Sequence, residues 1–565
     1  MGGAGPHLFL GKHRAPRARA YQYRSQHIPQ QWFCRLHQIT LNRMNRLLHT
    51  FLLLAPGAMA ADSATTESAA RTDQTREEAR AVLRQHNILP DDEPPIESPY
   101  QWSFSYDRTM RDIILYHYDI EPYDEAAQKM KLLIQAGIDI NQADDEGNTY
   151  LHDAVRYGVG KNPAFYLLLE YRGVDVNATN KNGESPLYLA LERGFAACVE
   201  ALLRHPNVDI SGWSPLFKAI IRNSPAEVRA ALAAGADPNE RDYRHNMTPL
   251  YVAAALGHTT CLQELLEHES TLILLNQDGK NPICIAAKNG HSPCLRYLLM
   301  RGDSKVNVGY PLWWAALYGH TDCVRQLLEH DKIDINLVGE HGETALIAAA
   351  REGHTEIAHL LLERKELDVN HQDEHGHTAL MLAALGNHTD IIRLLLKHPQ
   401  LNPSLTDKDG GNAVNFACRD TCAEALRLLV SIPGINLSTR HHGNTALSDA
   451  ASHNQTEAMR ILLQAGADAN EKAPNGHSLL LDAVWFNCSD AVELLLAQPN
   501  IRVNDCAKDG MFPLWCAARN GYDDIVRLLL SHPGINREHC HQGLTPLQIA
   551  EQKGHTKIVE ILKSR

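Results

Sequence analysis

Apolar residues recur through most of the chain in pairs of short clusters, and each pair is separated from the next by polar residues. Within a cluster the spacing is helical, as in Ile391-Ile-Arg-Leu-Leu-Leu. The pairs repeat about every 33 residues, with two shortened units near 211 and 309. The pattern therefore predicts about thirteen two-helix units, whose first core residues are Leu151, Leu187, Leu216, Leu250, Ile283, Leu312, Leu346, Leu380, Val414, Leu447, Leu480, Leu514 and Leu547.

Start and stop signals flank the predicted helices. In Thr248-Pro249-Leu250 the hydroxyl can cap a helix, and Pro occupies a position that needs no amide donor. Glycine ends the first helix of a unit, because a helix terminus favours left-handed backbone. This signal recurs at Gly257-His258, Gly290-His291, Gly319-His320, Gly353-His354 and Gly554-His555. Asp-Ile-Asn at 139–141 and 334–336 leads into polar tips, which we predict to be hairpin turns.

The recurring motifs Gly-x-Thr-Pro-Leu, Ala-Ala-x-x-Gly-His and Leu-Leu-x-x-Gly-Ala-Asp resemble those of the ankyrin-repeat family. The resemblance covers residues 123–565. It implies a fold dominated by α-helices, a solenoid of about 13 helix-turn-helix units with hairpin tips. It also implies structural Gly-His histidines and a concave face, made by the tips and the first helices, that binds proteins.

The first 122 residues differ in pattern from the repeats. Met44 to Ala60 contains a short basic stretch, the apolar run Phe51 to Leu54 and a small-x-small cleavage site, which predicts a signal peptide. An ordinary buried helix is the alternative. Residues 1–43 show neither helical nor strand periodicity and are predicted to be an upstream extension outside the native protein. Residues 61–101 read as a disordered linker, and the aromatic-rich segment 102–122 as an N-terminal cap.

Charge argues against anionic partners. The net charge is -13, and residues 1–60 hold eight basic residues and no Asp or Glu, so the chain without them carries -21. Such a polyanion is repelled by phosphate backbones and by anionic lipid. We therefore expect no nucleic-acid partner. We also expect a monomer with no membrane span after signal cleavage, because the apolar run at 51–54 is too short to cross a bilayer.

The twelve cysteines do not follow a disulfide pattern. Cys198, Cys261, Cys294 and Cys323 occupy one position of the repeat, where Ile stands in other units, so we expect small buried side chains. Equivalent positions lie roughly 10 Å apart, beyond disulfide reach. A pair between Cys506 and Cys540, near the tips of adjacent units, stays open.

Chemistry-bearing motifs are absent from the sequence. We find no Gly-x-Ser-x-Gly, His-Glu-x-x-His, phosphate-binding glycine loop or Cys-x-x-Cys, so we predict no enzyme and no cofactor. His371, His375 and His377 cluster in one tip, where a metal site competes with hydrogen bonding within the turn. We favour hydrogen bonding.

The ankyrin resemblance places partner-binding residues two, five and six positions after the core residue of the first helix. In the middle of the stack these positions carry an apolar patch, typical of a binding surface. The alternative for Trp314 is that its side chain fills space left by the shortened 309 unit. The predicted partner-binding residues are Val252, Leu256, Ile285, Trp314, Leu317, Tyr318, Leu382, Leu385 and Phe416.

These observations predict a non-catalytic scaffold that is exported and binds a protein partner in the periplasm or outside the cell. Two alternatives stay open. One is an inhibitory or protective subunit of a periplasmic enzyme. The other is a cytosolic scaffold whose apolar segment at 44–60 is not cleaved.

Overall fold

The computed structural model describes residues 110–111, 123–157, 163–242, 246–277, 279–301, 307, 310–418, 423–473 and 476–564. The predicted upstream extension, signal peptide and linker lie outside these residues, as does the predicted cap apart from 110–111. The described residues fall into two compact units, one with 110–111 and 124–139 and the other with 123 and the described residues from 140 to 564. Helix α1, Tyr123–Gln135, falls almost wholly in the first unit.

The second unit contains thirteen helix pairs within its described residues, which agrees with the predicted repeat. The first helices of the pairs are α2 Tyr150–Tyr157, α4 Pro186–Arg193, α6 Pro215–Ile221, α8 Pro249–Leu256, α10 Pro282–Lys288, α12 Pro311–Leu317, α14 Ala345–Glu352, α16 Ala379–Leu385, α18 Ala413–Ala417, α20 Ala446–Ser452, α22 Leu479–Trp485, α24 Pro513–Asn520 and α26 Pro546–Lys553.

The second helices are slightly longer on average and follow after two to five residues in most repeats. They are α3 Pro163–Glu170, α5 Ala196–Arg204, α7 Pro225–Ala233, α9 Thr259–Glu267, α11 Ser292–Met300, α13 Thr321–Leu328, α15 Thr355–Leu362, α17 Thr389–Leu396, α19 Ala423–Val430, α21 Thr456–Gln464, α23 Ser489–Leu496, α25 Asp523–Ser531 and α27 Thr556–Lys563.

Neighbouring repeats share one continuous core. From α8 to α16 each first helix packs against its own second helix and against the next first helix. The core residues Leu250 and Leu346 are at most 1% exposed. Because burying a Leu side chain contributes about 1.5–3 kcal/mol, and one helix pair cannot enclose its own apolar side, each repeat is stabilised by the next.

The predicted helix ends are confirmed. Thr248 Oγ1 accepts a hydrogen bond from the backbone N–H of Tyr251 at 3.2 Å, and Ser185 caps α4 in the same way. Gly257 and Gly353 end α8 and α14 with φ of 73° and 78°. These are left-handed conformations that favour glycine. In repeats that lack this glycine, Asn387 and Asn454 take the turn with positive φ, as asparagine tolerates best among non-glycine residues.

The Gly-His histidines join consecutive repeats, as the resemblance implied. His291 Nε2 lies 3.0 Å from the carbonyl oxygen of Ala255, near the end of the preceding first helix. A carbonyl only accepts, so this ring nitrogen carries the proton. The same contact links His320 to Lys288, His354 to Leu317, His388 to Arg351 and His555 to Arg519, at 3.0 or 3.1 Å.

A second inter-repeat joint, which the sequence analysis missed, runs through asparagines in the loops after the second helices. Asn336 donates from Nδ2 to the carbonyl of Glu366 at 2.7 Å and accepts from the N–H of Asp368 at 2.8 Å. Both amide ends are therefore used on the next repeat. Asn141, Asn177, Asn239, Asn307, Asn370, Asn470 and Asn504 make the same pair of bonds.

The tips are turns with very short β-pairing. One two-stranded antiparallel hairpin is described, β1 Arg440–His441 with β2 Asn444–Thr445. Three other tips hold isolated bridges, at 143 with 149, 472 with 478 and 541 with 544. Elsewhere a carboxylate replaces the strand ladder: Asp373 Oδ1 accepts from the N–H groups of His375 and His377, each at 2.8 Å. The hairpin prediction thus holds for some tips only.

None of the cysteines among the described residues is in a disulfide. Cys198, Cys261, Cys294 and Cys323 are buried, as predicted. Cys506 and Cys540 are free as well, and Cys506 Sγ contacts His539 Nε2 at 3.4 Å. Across the described ranges, no helix combines the length and apolarity needed to cross a bilayer.

Candidate functional site

The predicted binding residues two positions after the core residue are buried. Val252, Ile285 and Phe416 are at most 2% exposed, and Trp314 and Leu382 are 6% exposed. This position faces the adjacent first helices, which pack on both sides of each central repeat. The expectation that these side chains are exposed in the folded chain is therefore wrong.

The fifth and sixth positions after the core residue are the ones that reach the surface. Tyr318 is 48% exposed, and Leu317 and Leu385 are half-buried. Leu256, at the sixth position of α8, is an exception and is 3% exposed. The structure thus brings Leu317 and Tyr318 to the surface at the end of α12, above the buried Trp314.

Trp314 belongs to the core beneath Tyr318. Its indole packs edge-on against Trp313, with ring centroids 4.6 Å apart, and shares a buried cluster with Cys284 and Ala348. The Tyr318 ring stacks on it at 5.8 Å with planes 4° apart. Trp314 Nε1 is buried without a hydrogen-bond partner in the described part of the chain. The burial agrees with the alternative in which Trp314 fills interior space.

Glu343 holds the neighbouring Trp313 in place. Its carboxylate accepts from Trp313 Nε1 at 3.3 Å and pairs with the Arg351 guanidinium. Burial raises the pKa of Glu343 and the Arg351 charge opposes that shift. Gly339 is required beside this indole, since an added Cβ would lie 2.4 Å from Trp313 Cδ2. The tryptophan pair therefore has a fixed orientation under the surface residues.

Two lysines lie over the Trp314 ring. Lys288 Nζ is 4.4 Å and Lys280 Nζ 5.1 Å from the ring centroid, within cation–π range. Burial is the main cause of a lowered pKa at Lys288, and the charges of Lys280 and Arg193 lower it further. Arg193 also acts on Tyr318, whose pKa is raised by burial and lowered in part by that charge. Arg193 Nε is itself buried without a hydrogen-bond partner among the described residues.

We call this group the central patch: Arg193, Lys280, Lys288, Leu317 and Tyr318, resting on Trp314. Its members come from the first helices α4, α10 and α12 and from the tip before α10. The helices are short, so their last turns expose the fifth and sixth positions together at one rim of the stack. The patch offers an aromatic face and three cations at one place.

A second aromatic group occupies the same rim position five repeats later, and the sequence analysis missed it. Trp485 and Phe486 stand five and six residues after Leu480 and are 40% and 56% exposed. Trp485 lines a surface groove with Arg519 and Lys553. The offset of five and six residues after the core residue, which identifies Leu317 and Tyr318 from Leu312, identifies Trp485 and Phe486 from Leu480.

Metal binding is not favoured by the histidine clusters. His371 Nε2 bonds the carbonyl of Gly342 at 2.9 Å, and His377 Nδ1 bonds Asp373 at 3.0 Å, so this tip uses its histidines in hydrogen bonds. Another group, Asp409, His441 and His442, brings three ligand atoms within 4.8 Å of one another.

The ligand atoms of that second histidine group are too far apart for a compact metal site. The pair His442 Nδ1 and Asp409 Oδ1 is 3.8 Å apart, and both side chains are about 60% exposed. Tetrahedral zinc with bonds of about 2.0–2.1 Å needs ligand atoms roughly 3.4 Å apart. His441 instead lies 3.4 Å from the buried carboxylate of Asp407. We therefore assign these side chains to polar contacts of the tip.

Comparison with known proteins agrees with the repeat geometry. A family model described as "Ankyrin repeats (3 copies)" matches residues 159–242, 228–310, 303–373, 364–441, 400–473, 433–505 and 480–565. Together these segments run without a gap from 159 to 565.

Individual relatives match over shorter stretches. The B-cell lymphoma 3 protein homolog of Mus musculus is 40% identical over 121 residues, which are 20% of this chain and 26% of that protein. The putative ankyrin repeat protein YahD of Escherichia coli (strain K12) is 29% identical over 147 residues, 24% of this chain and 71% of that protein. The crystal structure of the ankyrin repeat domain of Bcl-3 aligns with 28% identity and a TM-score of 0.37, covering 40% of this chain and 100% of that one.

Proposed function

This chain belongs to the ankyrin-repeat family, whose repeats serve protein–protein interaction, and we propose that it is an exported, non-catalytic scaffold that binds its protein partner at the central patch. The observation that carries the proposal is the exposed Tyr318, which stacks on the buried Trp314 and lies near the Arg193 charge, while Lys280 and Lys288 lie over the Trp314 ring. Tyrosine and arginine are typical of the residues that dominate interface energies.

The absence of catalysis is part of the same proposal. Among the described residues, burial raises the pKa of the carboxyl groups of Glu343, Glu471 and Asp482. Each of them bonds a neighbouring side chain of the stack, which is Trp313 for Glu343, Thr445 for Glu471 and His477 for Asp482. Burial raises the pKa of seven buried thiols and keeps them protonated and unreactive; they are Cys198, Cys261, Cys284, Cys294, Cys323, Cys488 and Cys516, and the pKa of Cys323 rises to about 12. These groups fit a structural role in the stack.

Export is proposed from the sequence of residues 44–60. A short basic stretch, an apolar run too short to span a bilayer and the Ala-Met-Ala site at 58–60 support cleavage after Ala60. We infer a mature protein in the periplasm or outside the cell. The buried thiols of the described residues form no disulfide and need no oxidising compartment, and their burial protects them in one.

Mass spectrometry of the purified protein tests the export proposal. A first residue near Ala61 is expected. Recovery of peptides from residues 1–43, or an intact segment 44–60 in the mature protein, would overturn it and favour an uncleaved cytosolic scaffold.

Affinity purification tests the binding proposal. Tagged mature protein and the variant Tyr318→Ala are used to isolate partners, and mass spectrometry identifies what each retains. The control is Tyr297→Ala, since Tyr297 is 38% exposed on the second helix α11, away from the first-helix rim. A partner that Tyr318→Ala loses and Tyr297→Ala retains supports the proposal. If both variants retain every partner, the central patch is not the binding site.

A further inference from the structure

We propose that the central patch recognises an acidic peptide segment of the partner, in which carboxylates alternate with apolar side chains, through Arg193, Lys280 and Lys288 around the Tyr318 face. This inference rests on the proposed function and adds the chemistry of the partner. Four observations carry it.

The first is that none of the three cations forms an ion pair with a carboxylate of the described residues. Among the described residues, Arg193, Lys280 and Lys288 have no carboxylate within the 4.0 Å of an ion pair. Some other cations of the stack are paired, such as Arg325 with Glu356 at 3.1 Å and Arg393 with Glu424 at 2.9 Å. In a chain with net charge -13, these three cations lie close enough together for Arg193 and Lys280 to lower the pKa of Lys288.

The second is that Lys288 is partly removed from water. Burial and the like charges of Lys280 and Arg193 all act to lower its pKa, and the nearby Glu192 offsets this only in part. Holding a partly buried ammonium beside two other cations costs stability. A carboxylate supplied from outside would neutralise this cluster and gain from the reduced solvent screening.

The third is the aromatic surface next to the cations. Tyr318 is 48% exposed, and Leu317 beside it is half-buried. The Trp314 ring below is fixed by Trp313 and stacks on Tyr318, so the Tyr318 face is held in one orientation. A rigid apolar face within reach of cations fits an apolar side chain that neighbours a carboxylate.

The fourth is that carboxylates of the chain lie near the patch, which favours a peptide with spaced carboxylates over a nucleic acid with closely spaced phosphates. Glu192 acts on Lys288, and Glu340 and Glu352 act on Tyr318, so acidic groups surround the patch. A nucleic acid carries closely spaced charges along its length and would meet these carboxylates. Single carboxylates spaced by apolar residues can reach the three cations while the apolar residues cover the gaps.

The test uses a fluorescent peptide of four Glu-Leu pairs and the full mature protein. Binding is measured by anisotropy at low and at high salt, for wild type and for Lys280→Gln with Lys288→Gln. A matched control, Lys365→Gln with Lys397→Gln, removes the same charge from two exposed lysines elsewhere on the stack. We expect the patch variant to bind roughly tenfold more weakly and the control to bind as wild type. High salt should weaken wild-type binding.

Location is tested by carbodiimide cross-linking, which joins a carboxylate to an amine in direct contact. The expected cross-links from the peptide are to Lys280 or Lys288. Circular dichroism keeps the result interpretable: we expect the patch variant to melt at the wild-type temperature or above, because it removes a mutual repulsion. A loss of binding that comes with a loss of fold is resolved by Lys280→Gln alone, because Lys280 lies in the tip before α10 and outside the helices.

Several results would overturn the inference. These are no binding of the Glu-Leu peptide, equal binding by patch and control variants, or tighter binding of a phosphoserine-Leu peptide or of single-stranded RNA. The outcome for the proposed function is separate. If Tyr318→Ala loses a partner from cells while the Glu-Leu peptide does not bind, the scaffold function stands and the acidic chemistry fails.

Discussion

The ring of His291 occupies the space beside Gly257 of the preceding repeat: a Cβ added to Gly257 would lie 2.5 Å from His291 Nδ1. The other ring nitrogen bonds the carbonyl of Ala255 at 3.0 Å. Glycine and histidine of successive repeats are thus one interlocked contact, and the glycine is needed for two reasons. Its φ of 73° favours glycine, and its missing side chain makes room for the next repeat.

This contact predicts that Gly257→Ala lowers the free energy of unfolding by more than the cost of placing an alanine in left-handed backbone. The conformational cost is about 1–2 kcal/mol, and displacement of His291 adds to it. The control is Gly235→Ala, where φ is 91° and no atom lies within 4 Å of the added Cβ. Urea unfolding measures both variants. Equal losses of stability would show that the interlock contributes nothing.

The half-buried histidines that follow the glycine turns predict a fall in stability as the pH drops. Burial lowers the pKa of His258, His291 and His320 below the ordinary 6.5, and at His291 the neighbouring two rings lower it further. Below pH 6.5 the unfolded chain therefore binds protons that the folded chain does not, so unfolding is favoured until the pH passes the lowered folded pKa. Stability is fully present above pH 6.5.

The measurement is the melting temperature between pH 7.5 and 5.5 for wild type and His291→Gln, which keeps a donor for Ala255 without titrating. The variant should lose less stability over this range than wild type. The exposed His442→Gln, compared in the same way, should follow wild type. An identical pH dependence in all three proteins would contradict the assignment.

The asparagine joint predicts that Asn336→Ala costs about 1–3 kcal/mol, because the carbonyl of Glu366 and the N–H of Asp368 both lose their partner. Hydrogen exchange at the Asp368 amide should become faster. Asn182→Ala is the control, since Asn182 is an exposed tip residue whose side chain makes no such bridge. Unchanged exchange at Asp368 in the Asn336 variant would contradict the prediction.

The central patch predicts opposite roles for its two aromatic residues. Trp314→Ala should cost about 3–5 kcal/mol, because it empties a core site 6% exposed. Tyr318→Ala should cost about 1 kcal/mol or less, since half of that ring is in water. Thermal scans of the two single variants measure the difference. Similar melting temperatures for both variants would place Trp314 outside the core.

The thiols predict selective labelling of the native protein. At pH 8 iodoacetamide should modify the exposed Cys540 and leave Cys261 and Cys323 unmodified, because burial raises their pKa to about 11 and about 12 and blocks access. Peptide mapping identifies the labelled residues. Adding a reductant should leave the melting temperature unchanged, and a reductant-sensitive melting temperature would reveal a disulfide.

The sequence was sufficient to predict the repeat, its caps and its buried cysteines, because these depend on local pattern. Thr248, Gly257 and Leu250 each act on residues within one or two helical turns. Their roles can therefore be predicted from the motif that repeats along the sequence. The count of thirteen units agrees for the same reason: every core residue, from Leu151 to Leu547, lies in the first helix of a pair.

The binding residues were harder to predict, because exposure depends on the next repeat. Val252, Ile285 and Leu382 occupy a helix face that packing with adjacent first helices buries. The inter-repeat contact of Asn336 could not be predicted either. Its partners are backbone groups 30 and 32 residues away, and a backbone group leaves no signal in the residue types of the sequence. Trp485 and Phe486, by contrast, could have been found with the offset that identified Leu317 and Tyr318.

The histidine joint has a consequence for the length of the protein. Between His258 and His388 five consecutive repeats carry the same Gly-or-Asn turn followed by histidine, whereas Phe195, Gln455, Cys488 and Tyr522 stand at this place in other repeats. Excising residues 354–387 would therefore splice Gly353 directly to His388, and that imidazole would inherit the carbonyl of Leu317. In this stretch the repeats make equivalent contacts with their neighbours. Gene duplication or deletion can therefore add or remove whole repeats and keep every inter-repeat histidine contact.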